Sequence, residues 1–395
     1  MFPRALAPTL HRLASHFPVV AVTGPRQSGK TTLARSLFAD KPYVSLEDPI
    51  ERAYAEEDPR GFLARFREGA VFDEAQRWPD LLSHLQGMVD AKRTPGRFVL
   101  TGSQQFGLLA GVTQSLAGRV GMAQLLPLAL GEFPALPDSP DLMLGAGGYP
   151  APHAYGIPAA DWYAGYVATY LERDVRQLLA VHDMPAFQRF LRLCAGRTGQ
   201  LLNLSALAAE TGIVHSTARA WLSILEASYI VLLLPPYHRN FGKRLVKTPK
   251  LYFVDTGLAA FLLGIRTAVQ MTSHPLRGAL FETLVVGEFV KARANAGQPP
   301  DLYFWRDNSG LEADLLFEDG DLLQTVEIKS GATVTSDYIR AGIRSARFAA
   351  GEAREPWLAH GGDDTYARSG VRAIGWRALP QAIGAITAFA EGPAV

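Results

Sequence analysis

The sequence predicts an α/β fold that begins with a doubly wound parallel sheet, and three observations support this. Short apolar segments alternate with helical segments over residues 1–130. A glycine-rich loop follows the first apolar segment, 17–23, and leads directly into a helical run, 33–38. Two later apolar segments, 69–73 and 97–103, each end in polar residues. Because parallel sheets bind ligands where their strands end, we expect these loops to share one edge.

The composition is that of a folded chain of several domains. It has 395 residues, of which 48% are hydrophobic and 19% are charged, and this excludes a disordered chain. At roughly 150 residues per domain, the length suggests two or three domains. There are 39 Lys+Arg and 38 Asp+Glu, a net charge of +1, so a nucleic-acid partner would have to be held by local patches.

The sequence favours a cytoplasmic protein. The single cysteine, Cys194, has no partner for an internal disulfide, and we expect it to be a small buried hydrophobe. Apolar runs such as residues 229–234 are shorter than the roughly 18 residues of a membrane span. His11 and Arg12 interrupt the apolar segment that a signal peptide would need. We therefore expect no membrane association.

Residues 24–32, GPRQSGKTT, match the GxxxxGK[ST] pattern of phosphate-binding loops between a strand and a helix. Glycines let the backbone wrap an anion, and N–H groups at the helix start point at the phosphates. Lys30 would reach the β- and γ-phosphates of ATP, and the Thr31 hydroxyl would bind Mg²⁺. The predicted nucleotide-binding residues are Gly24, Arg26, Gln27, Ser28, Gly29, Lys30, Thr31, Thr32, Ser103 and Gln104.

Polar residues at two later strand ends predict the hydrolytic groups. The segment 69–74 ends in Asp73, a candidate Mg²⁺ ligand, and Glu74, a candidate base for the attacking water. Ser103 and Gln104 end the next strand, where they could contact the γ-phosphate or orient its water. An ordinary polar turn is the alternative for this second pair.

Arg119 is a candidate for stabilising charge in the transition state. It follows a short predicted helix that ends in the stretch Ser-Leu-Ala-Gly. Its guanidinium could act in its own chain or in a neighbouring copy. A surface salt bridge is an equally good interpretation of the same residue.

A proline- and glycine-rich stretch, residues 131–158, ends the alternation and predicts a domain boundary. Beyond it, two helices around a turn at Gly212 precede strand 229–234, the outline of a winged helix. The second helix offers mainly His215 and Arg219 to a DNA groove, and the hairpin after it is more basic. Protein packing is the alternative use. The predicted DNA contacts are Arg239, Lys243, Arg244 and Lys247.

A second constellation lies near the C-terminus, where a helix bearing Glu282 precedes strands that carry Asp314 and the Glu327-Ile-Lys329 motif. The separation 327 − 314 = 13 fits two strands around a tight hairpin, with Glu327 and Lys329 on one face. Asp314, Glu327 and Glu282 could hold a divalent metal while Lys329 orients or activates water. This pattern predicts a PD-(D/E)xK endonuclease-like α/β domain. A solvated Glu-x-Lys pair is the alternative, and cleavage stays open.

Ten stretches follow one another along nearly the whole chain: GPRQSGKTT, VFDEAQRWPDLL, LTGSQQF, SLAGRV, PLALGEF, LERDV, KLYFVDTGLAAFL, GALFETLVVGEF, WRDNSGLEAD and VEIKSG. In them the sequence resembles AAA-type P-loop ATPases with a C-terminal domain of unknown function, DUF4143. The resemblance implies an ATPase core, a winged-helix segment and an endonuclease-like terminal domain. It identifies no second arginine sensor of ring-forming motors. By position, the resemblance implies that Lys30 and Thr31 bind phosphate and metal and that Asp73 and Glu74 are the hydrolytic pair. It likewise implies a nuclease-like trio of Asp314, Glu327 and Lys329.

We therefore expect four segments: an ATPase domain over 1–130, a linker with helices over 131–170, a winged-helix domain over 171–265 and an endonuclease-like domain over 266–395. The expected function is Mg²⁺-dependent ATP hydrolysis that couples nucleotide state to DNA binding or remodelling. One alternative is a nucleotide-gated switch that binds proteins through a degenerate nuclease-like domain. Another is a DNA nuclease licensed by ATP. Assembly into a homo-oligomer is compatible with each.

Overall fold

The computed structural model describes residues 1–103, 116–171, 183–237, 247–307, 310–347 and 351–388. The chain divides into two compact units. The first unit consists of Met1–Pro127, Ala227–Tyr229 and Arg293–Pro299. The second unit consists of Leu128–Glu226, Ile230–Ala292 and Pro300–Val395. The first unit is thus completed by two short pieces from much later in the chain.

The first unit is built on a parallel sheet. Its strands are β1 Val19–Thr23, β2 Tyr43–Ser45, β3 Ala70–Asp73, β4 Phe98–Gly102 and β5 Val120–Gln124. Its helices are α1 Ala7–His16, α2 Lys30–Leu37, α3 Pro49–Glu57, α4 Pro59–Ala64 and α5 Leu81–Ala91. The strand order is β2-β3-β4-β1-β5, and every pairing between these strands is parallel. The predicted parallel α/β sheet is therefore confirmed.

Helices cover both faces of this sheet. Strands β1, β3 and β4 are buried along their whole length, as expected for strands packed on both sides. Val20 and Val22 of β1 pack with apolar residues of α1 and α2 on one face. Val19 and Ala21 pack with residues of α4 and α5 on the other face. The carboxyl ends of the strands consequently form one edge at which loops meet.

The later helices and strands are shorter and more varied. The later helices are α6 Pro140–Ala146, α7 Pro150–Tyr155, α8 Ala159–Tyr166, α9 Met184–Ala195, α10 Leu204–Thr211, α11 His215–Ala227, α12 Thr256–Leu262, α13 Ala268–Ser273, α14 Arg277–Ala296, α15 Ser336–Ala346 and α16 Leu379–Ala388. The later strands are β6 Gln200–Leu201, β7 Val231–Leu234, β8 Lys250–Phe253, β9 Tyr303–Arg306, β10 Glu312–Asp319, β11 Leu322–Lys329, β12 Trp357–His360, β13 Tyr366–Arg368 and β14 Val371–Gly375. Among the helices of the described ranges, none has the length and hydrophobicity that crossing a bilayer requires.

These strands form two sheets in the second unit. Strands β6, β8 and β7 pair antiparallel in that order. A mixed sheet has the order β13-β14-β12-β11-β10-β9, in which β10 and β11 are antiparallel and β11, β12 and β14 are parallel. Leu315 pairs with Val326, so positions 314 and 327 lie side by side, as their spacing predicted.

Helix α9 contributes two aromatic residues to the core of the second unit. The rings of Phe187 and Phe190 lie 5.4 and 5.5 Å from the Trp221 ring, centroid to centroid, at steep angles. Cys194 is fully buried in the same cluster. Burial raises the pKa of its thiol to about 12, so the group stays protonated. The prediction that Cys194 is a buried hydrophobe is confirmed.

Asp255 organises the chain around the start of α12. It caps this helix by accepting a hydrogen bond from Leu258 N at 2.8 Å. Its carboxylate also accepts from Gly148 N and from the Tyr163 hydroxyl, each at 2.6 Å. Because Asp255 is 3% exposed, water cannot replace these bonds. The residue therefore stabilises the second unit.

We predict that Asp255→Ala lowers the free energy of unfolding by about 3 kcal/mol, because a cap is lost and two buried donors lose their acceptor. Asp183 provides a matched control, since it caps α9 from an exposed position and should cost about 1 kcal/mol when replaced by alanine. Urea denaturation measures both. Equal losses in the two variants would contradict a special role for Asp255.

Candidate functional site

The glycine-rich loop joins the end of β1 to the start of α2, as the sequence predicts. Gly24 and Gly29 have φ angles of 145° and 95°, which L side chains rarely adopt. A Cβ atom at Gly24 would also overlap the carbonyl oxygen of Leu125. Helix α2 begins at Lys30 with no side-chain cap, so its first N–H groups can donate hydrogen bonds to an anion. The loop thus has the backbone of a phosphate cradle.

Lys30 lies against the inside of this loop. Its side chain is 5% exposed, and its ammonium donates to the carbonyl oxygens of Gly24 at 3.0 Å and Pro25 at 2.8 Å. Ser28 is fully buried, and its hydroxyl has no hydrogen-bond partner among the described residues. A phosphate group would give the buried Lys30 ammonium a charged partner and would give the Ser28 hydroxyl a hydrogen-bond partner. These residues fit the triphosphate of a nucleotide.

Arg4 supports the loop, and sequence reasoning missed it. Its guanidinium donates to Ser28 O and to Leu126 O, each at 2.6 Å. Because Leu126 follows β5, the strand beside β1, Arg4 ties the loop to its neighbouring strand. The contact with Leu126 spans 122 residues of chain, and no sequence pattern indicates it.

Asp73 ends β3 and receives three hydroxyl groups. Thr31 Oγ1 lies 2.9 Å from Asp73 Oδ1 and 3.0 Å from Oδ2. The hydroxyls of Tyr43 on β2 and Thr101 on β4 also donate to this carboxylate. Hydroxyl and carboxylate oxygens are the ligands that Mg²⁺ prefers. The structure brings Thr31 and Asp73 together as predicted, and the pair fits Mg²⁺.

Glu74 follows Asp73 and reaches the end of β4. Gln76 Nε2 donates to Glu74 Oε2 at 2.5 Å and to Ser103 Oγ at 3.1 Å. The Ser103 hydroxyl lies 3.4 Å from the same Glu74 oxygen. The two predicted residues, Glu74 and Ser103, are therefore neighbours. Gln76 was not predicted, because a polar residue in a turn is too common to single out.

The other predicted nucleotide-binding residues lie at different depths. Arg26 is half-buried in the loop, whereas Gln27 and Thr32 are exposed. Gln104 lies outside the described residues. Among the predicted nucleotide-binding residues that the structure describes, Gly24, Ser28, Lys30 and Ser103 are buried.

Arg119 lies away from the site of its own chain. It directly precedes β5, and Val120 pairs with Val19 at the amino end of β1. The loop and Asp73 lie at the opposite, carboxyl edge of the sheet. Arg119 instead forms a bidentate ion pair with Asp90, at 2.6 and 3.1 Å. The direction of the parallel strands thus places Arg119 away from the predicted site of its own chain, in the surface salt bridge that was the alternative interpretation. A role in a neighbouring copy stays a prediction.

The predicted DNA-binding segment has its two helices in place. Helices α10 and α11 are separated by residues 212–214, and the antiparallel strands β6, β8 and β7 complete the segment. His215 and Arg219 are exposed on α11, and within the described residues Arg219 forms no ion pair. Lys247 is exposed. The predicted contacts Arg239, Lys243 and Arg244 lie outside the described residues.

The predicted residues of the second constellation lie in an ion-pair network. The Lys329 ammonium lies 2.6 Å from Glu327 Oε1 and 3.9 Å from Asp314 Oδ2. The Lys250 ammonium lies 3.0 Å from Glu282 Oε1 and 2.5 Å from an oxygen of Glu312. Sequence reasoning missed Lys250, which is 3% exposed. In the sequence, this residue is marked only by being a charged residue at the start of an apolar strand.

This network corrects the predicted metal shell of Glu282, Asp314 and Glu327. Within the part of the chain that the structure describes, no three carboxylate, imidazole or thiol groups could together hold a metal ion. The ammonium groups of Lys250 and Lys329 neutralise these carboxylates instead. Lys250 comes from β8, a strand that the spacing between Asp314 and Glu327 does not indicate.

Burial changes the protonation of this network. It raises the pKa of Glu282 and of Glu327 to about 7, and the charge of Asp314 adds to both shifts. Burial alone would lower the pKa of Lys250, but the surrounding carboxylates raise it, so the ammonium stays charged. The carboxyl groups of Glu282 and Glu327 therefore titrate near neutral pH.

Three family models match the chain. An AAA domain matches residues 16–134. A domain of unknown function, DUF8612, matches residues 140–268, and another, DUF4143, matches residues 277–379. Two curated relatives are the uncharacterized proteins Mb2031c of Mycobacterium bovis and Rv2008c of Mycobacterium tuberculosis. Each is 34% identical over 347 residues, which cover 87% of this chain and 76% of the relative.

Three solved structures are among those that resemble the chain. The Walker-type ATPase PABY2304 of Pyrococcus abyssi is 15% identical, with a TM-score of 0.46, covering 66% of this chain and 96% of that one. AMPPCP-bound DnaA from Aquifex aeolicus is 15% identical, with a TM-score of 0.29, covering 56% and 85%. RuvB of Thermotoga maritima is 19% identical, with a TM-score of 0.27, covering 58% and 86%. These TM-scores are too low to indicate a function.

We predict that the free energy of unfolding falls as the pH rises from about 4.5 to about 7. Glu282 and Glu327 have a folded pKa of about 7 against an ordinary value of 4.5, so the folded state binds more protons in this window. Urea denaturation at pH 5 and pH 8 measures the fall. Glu282→Gln should reduce it, and Asp321→Asn, at an exposed position, should not. An unchanged fall in Glu282→Gln would contradict the assignment.

Proposed function

The chain belongs to the family of AAA-domain P-loop ATPases that carry a C-terminal DUF4143 domain, and from this premise we propose that it couples Mg²⁺-dependent ATP hydrolysis to DNA binding. The observation that carries the proposal is the contact of Thr31 with Asp73, beside the buried ammonium of Lys30. This contact joins the phosphate loop to the end of a second strand. A nucleotide and its metal require groups from both.

Nucleotide binding rests on the loop and the start of α2. Lys30 would exchange its two carbonyl contacts for the β- and γ-phosphate oxygens, which are stronger partners because they are charged. The Ser28 hydroxyl, which has no hydrogen-bond partner among the described residues, and the first N–H groups of α2 would complete the cradle. Thr31 and Asp73 would hold Mg²⁺, which when bound neutralises charge on the phosphates.

Glu74 is the residue best placed to activate water. Its carboxylate is held beside Ser103 by the amide of Gln76, at the edge where the loop also lies. There it would accept the proton of a water molecule aligned with the γ-phosphate. Ser103 would orient that water or contact the phosphate. The hydrogen bond from Gln76 limits the directions in which Glu74 can turn.

The segment of α10, α11 and the β6-β8-β7 sheet supports the DNA part of the proposal. Strand β6, two helices around a short turn, and then the antiparallel pair of β7 and β8 follow one another in the order of elements in a winged helix. Helix α11 presents His215 and Arg219 to solvent, and Lys247 is exposed next to β8. Exposed cations can contact phosphates and release counterions. ATP binding would then alter how this segment engages DNA.

We predict that Lys30→Ala abolishes ATP turnover through loss of nucleotide binding. Glu74→Gln should keep binding but lower the turnover rate by about 10²- to 10⁴-fold, the usual contribution of a general base. Phosphate release measures turnover, and fluorescent-nucleotide titration measures binding. The exposed residues Lys92 and Glu56 provide matched controls, Lys92→Ala and Glu56→Gln, which should retain full activity. Normal turnover in Lys30→Ala would refute the mechanism.

We predict that the protein binds duplex DNA with an affinity that falls steeply with salt, because phosphate contacts release counterions. Arg219→Ala and Lys247→Ala should each weaken binding and lower the salt slope by about one unit. Arg60→Ala, an exposed arginine on α4, is the control. Filter binding at several salt concentrations measures this. An absence of binding at low salt would contradict DNA coupling and favour a nucleotide-gated switch that binds proteins.

A further inference from the structure

Tyr43 contacts the carboxylate that the proposed function assigns to the metal. On β2 it pairs with Val71 of β3, and Ser45 pairs with Asp73. Tyr43 is therefore two residues out of register with Asp73 and on the same face, a diagonal position that a long side chain can reach. Its hydroxyl donates to Asp73 Oδ2 at 2.8 Å.

A second hydroxyl holds the other side of the same carboxylate. Thr101 on β4 donates to Asp73 Oδ1, while Tyr43 on β2 donates to Oδ2. Strand β3 lies between β2 and β4, so the two donors approach from opposite neighbours. Thr31 Oγ1 lies at nearly equal distances, 2.9 and 3.0 Å, from the two oxygens. The carboxylate therefore turns both oxygens toward Thr31.

We propose that Tyr43 is a positioning residue for the metal: together with Thr101, it fixes the rotation of the Asp73 carboxylate so that both oxygens face the Mg²⁺ position beside Thr31. The inference rests on the proposed function, since it assigns a role at the same site. Each carboxylate oxygen has two lone pairs, and each outer donor uses one. The inner lone pairs remain for the metal or its bound water.

The surroundings of Tyr43 suit a permanent donor. The guanidinium of Arg35 on α2 lies 4.7 Å from the centre of the tyrosine ring and packs over it. The Tyr43 hydroxyl donates to Asp73 Oδ2 at 2.8 Å. Arg35 restricts the ring, so the donor stays aimed at Oδ2.

The test compares nucleotide binding with and without metal in Tyr43→Phe. The dissociation constant of a non-hydrolysable ATP analogue is measured by calorimetry in Mg²⁺ and again in EDTA. Loss of a group that orients a metal ligand typically costs 10- to 100-fold in metal affinity. We expect the tightening caused by Mg²⁺ to shrink by about tenfold or more, with the EDTA value within about twofold of wild type.

Two further variants sharpen the test. Tyr54→Phe removes the same atom from an exposed tyrosine on α3 and should leave both constants unchanged. Thr101→Val removes the opposite donor and should also weaken the effect of Mg²⁺. It decides the matter alone if Tyr43→Phe fails to fold. Wild-type Mg²⁺ enhancement in Tyr43→Phe, or in Thr101→Val should Tyr43→Phe not fold, would overturn the positioning role only. Failure of the wild-type protein to bind the analogue would overturn the proposed function as well.

Discussion

The contact between the Thr31 hydroxyl and the Asp73 carboxylate is the constraint on which the rest of the site depends. It joins the first turn of α2, which follows β1, to the end of β3. In the sheet, β4 lies between β1 and β3. The parallel order β2-β3-β4-β1-β5 places the phosphate loop, Asp73 and Ser103 at one edge. Lys30, buried against the loop carbonyls, is positioned by the same geometry. Without this contact, the phosphate loop would not be joined to the acidic pair of Asp73 and Glu74 in one site.

The sequence predicted the parts of this site that are local. The phosphate loop is recognisable because its spacing reflects the backbone: Gly24 and Gly29 adopt φ angles that other residues avoid. Asp73, Glu74 and Ser103 could be found because polar residues ending buried strands converge in any parallel sheet. The 13-residue spacing between Asp314 and Glu327 likewise followed from hairpin geometry, and the pairing of β10 with β11 agrees with it.

What the sequence could not predict depends on contacts between distant segments. Arg4 and Tyr43 act on the loop and on Asp73 through contacts that no spacing rule covers. Lys250 enters the acidic network from β8, so a pattern typical of a metal shell became a set of ion pairs. Arg119 was recognised as a candidate, but only the strand direction places it at the opposite edge, with Asp90. Nor does composition indicate that Ala227–Tyr229 and Arg293–Pro299 complete the first unit.

The most direct test of the central claim is a crystal structure of the protein with a non-hydrolysable ATP analogue and Mg²⁺. Our account predicts the triphosphate on residues 24–32, with Lys30 at the β- and γ-phosphates. The Thr31 hydroxyl would bind the metal, and the Asp73 carboxylate would face it. An analogue bound elsewhere, or an Asp73 side chain turned away from the metal, would contradict the account.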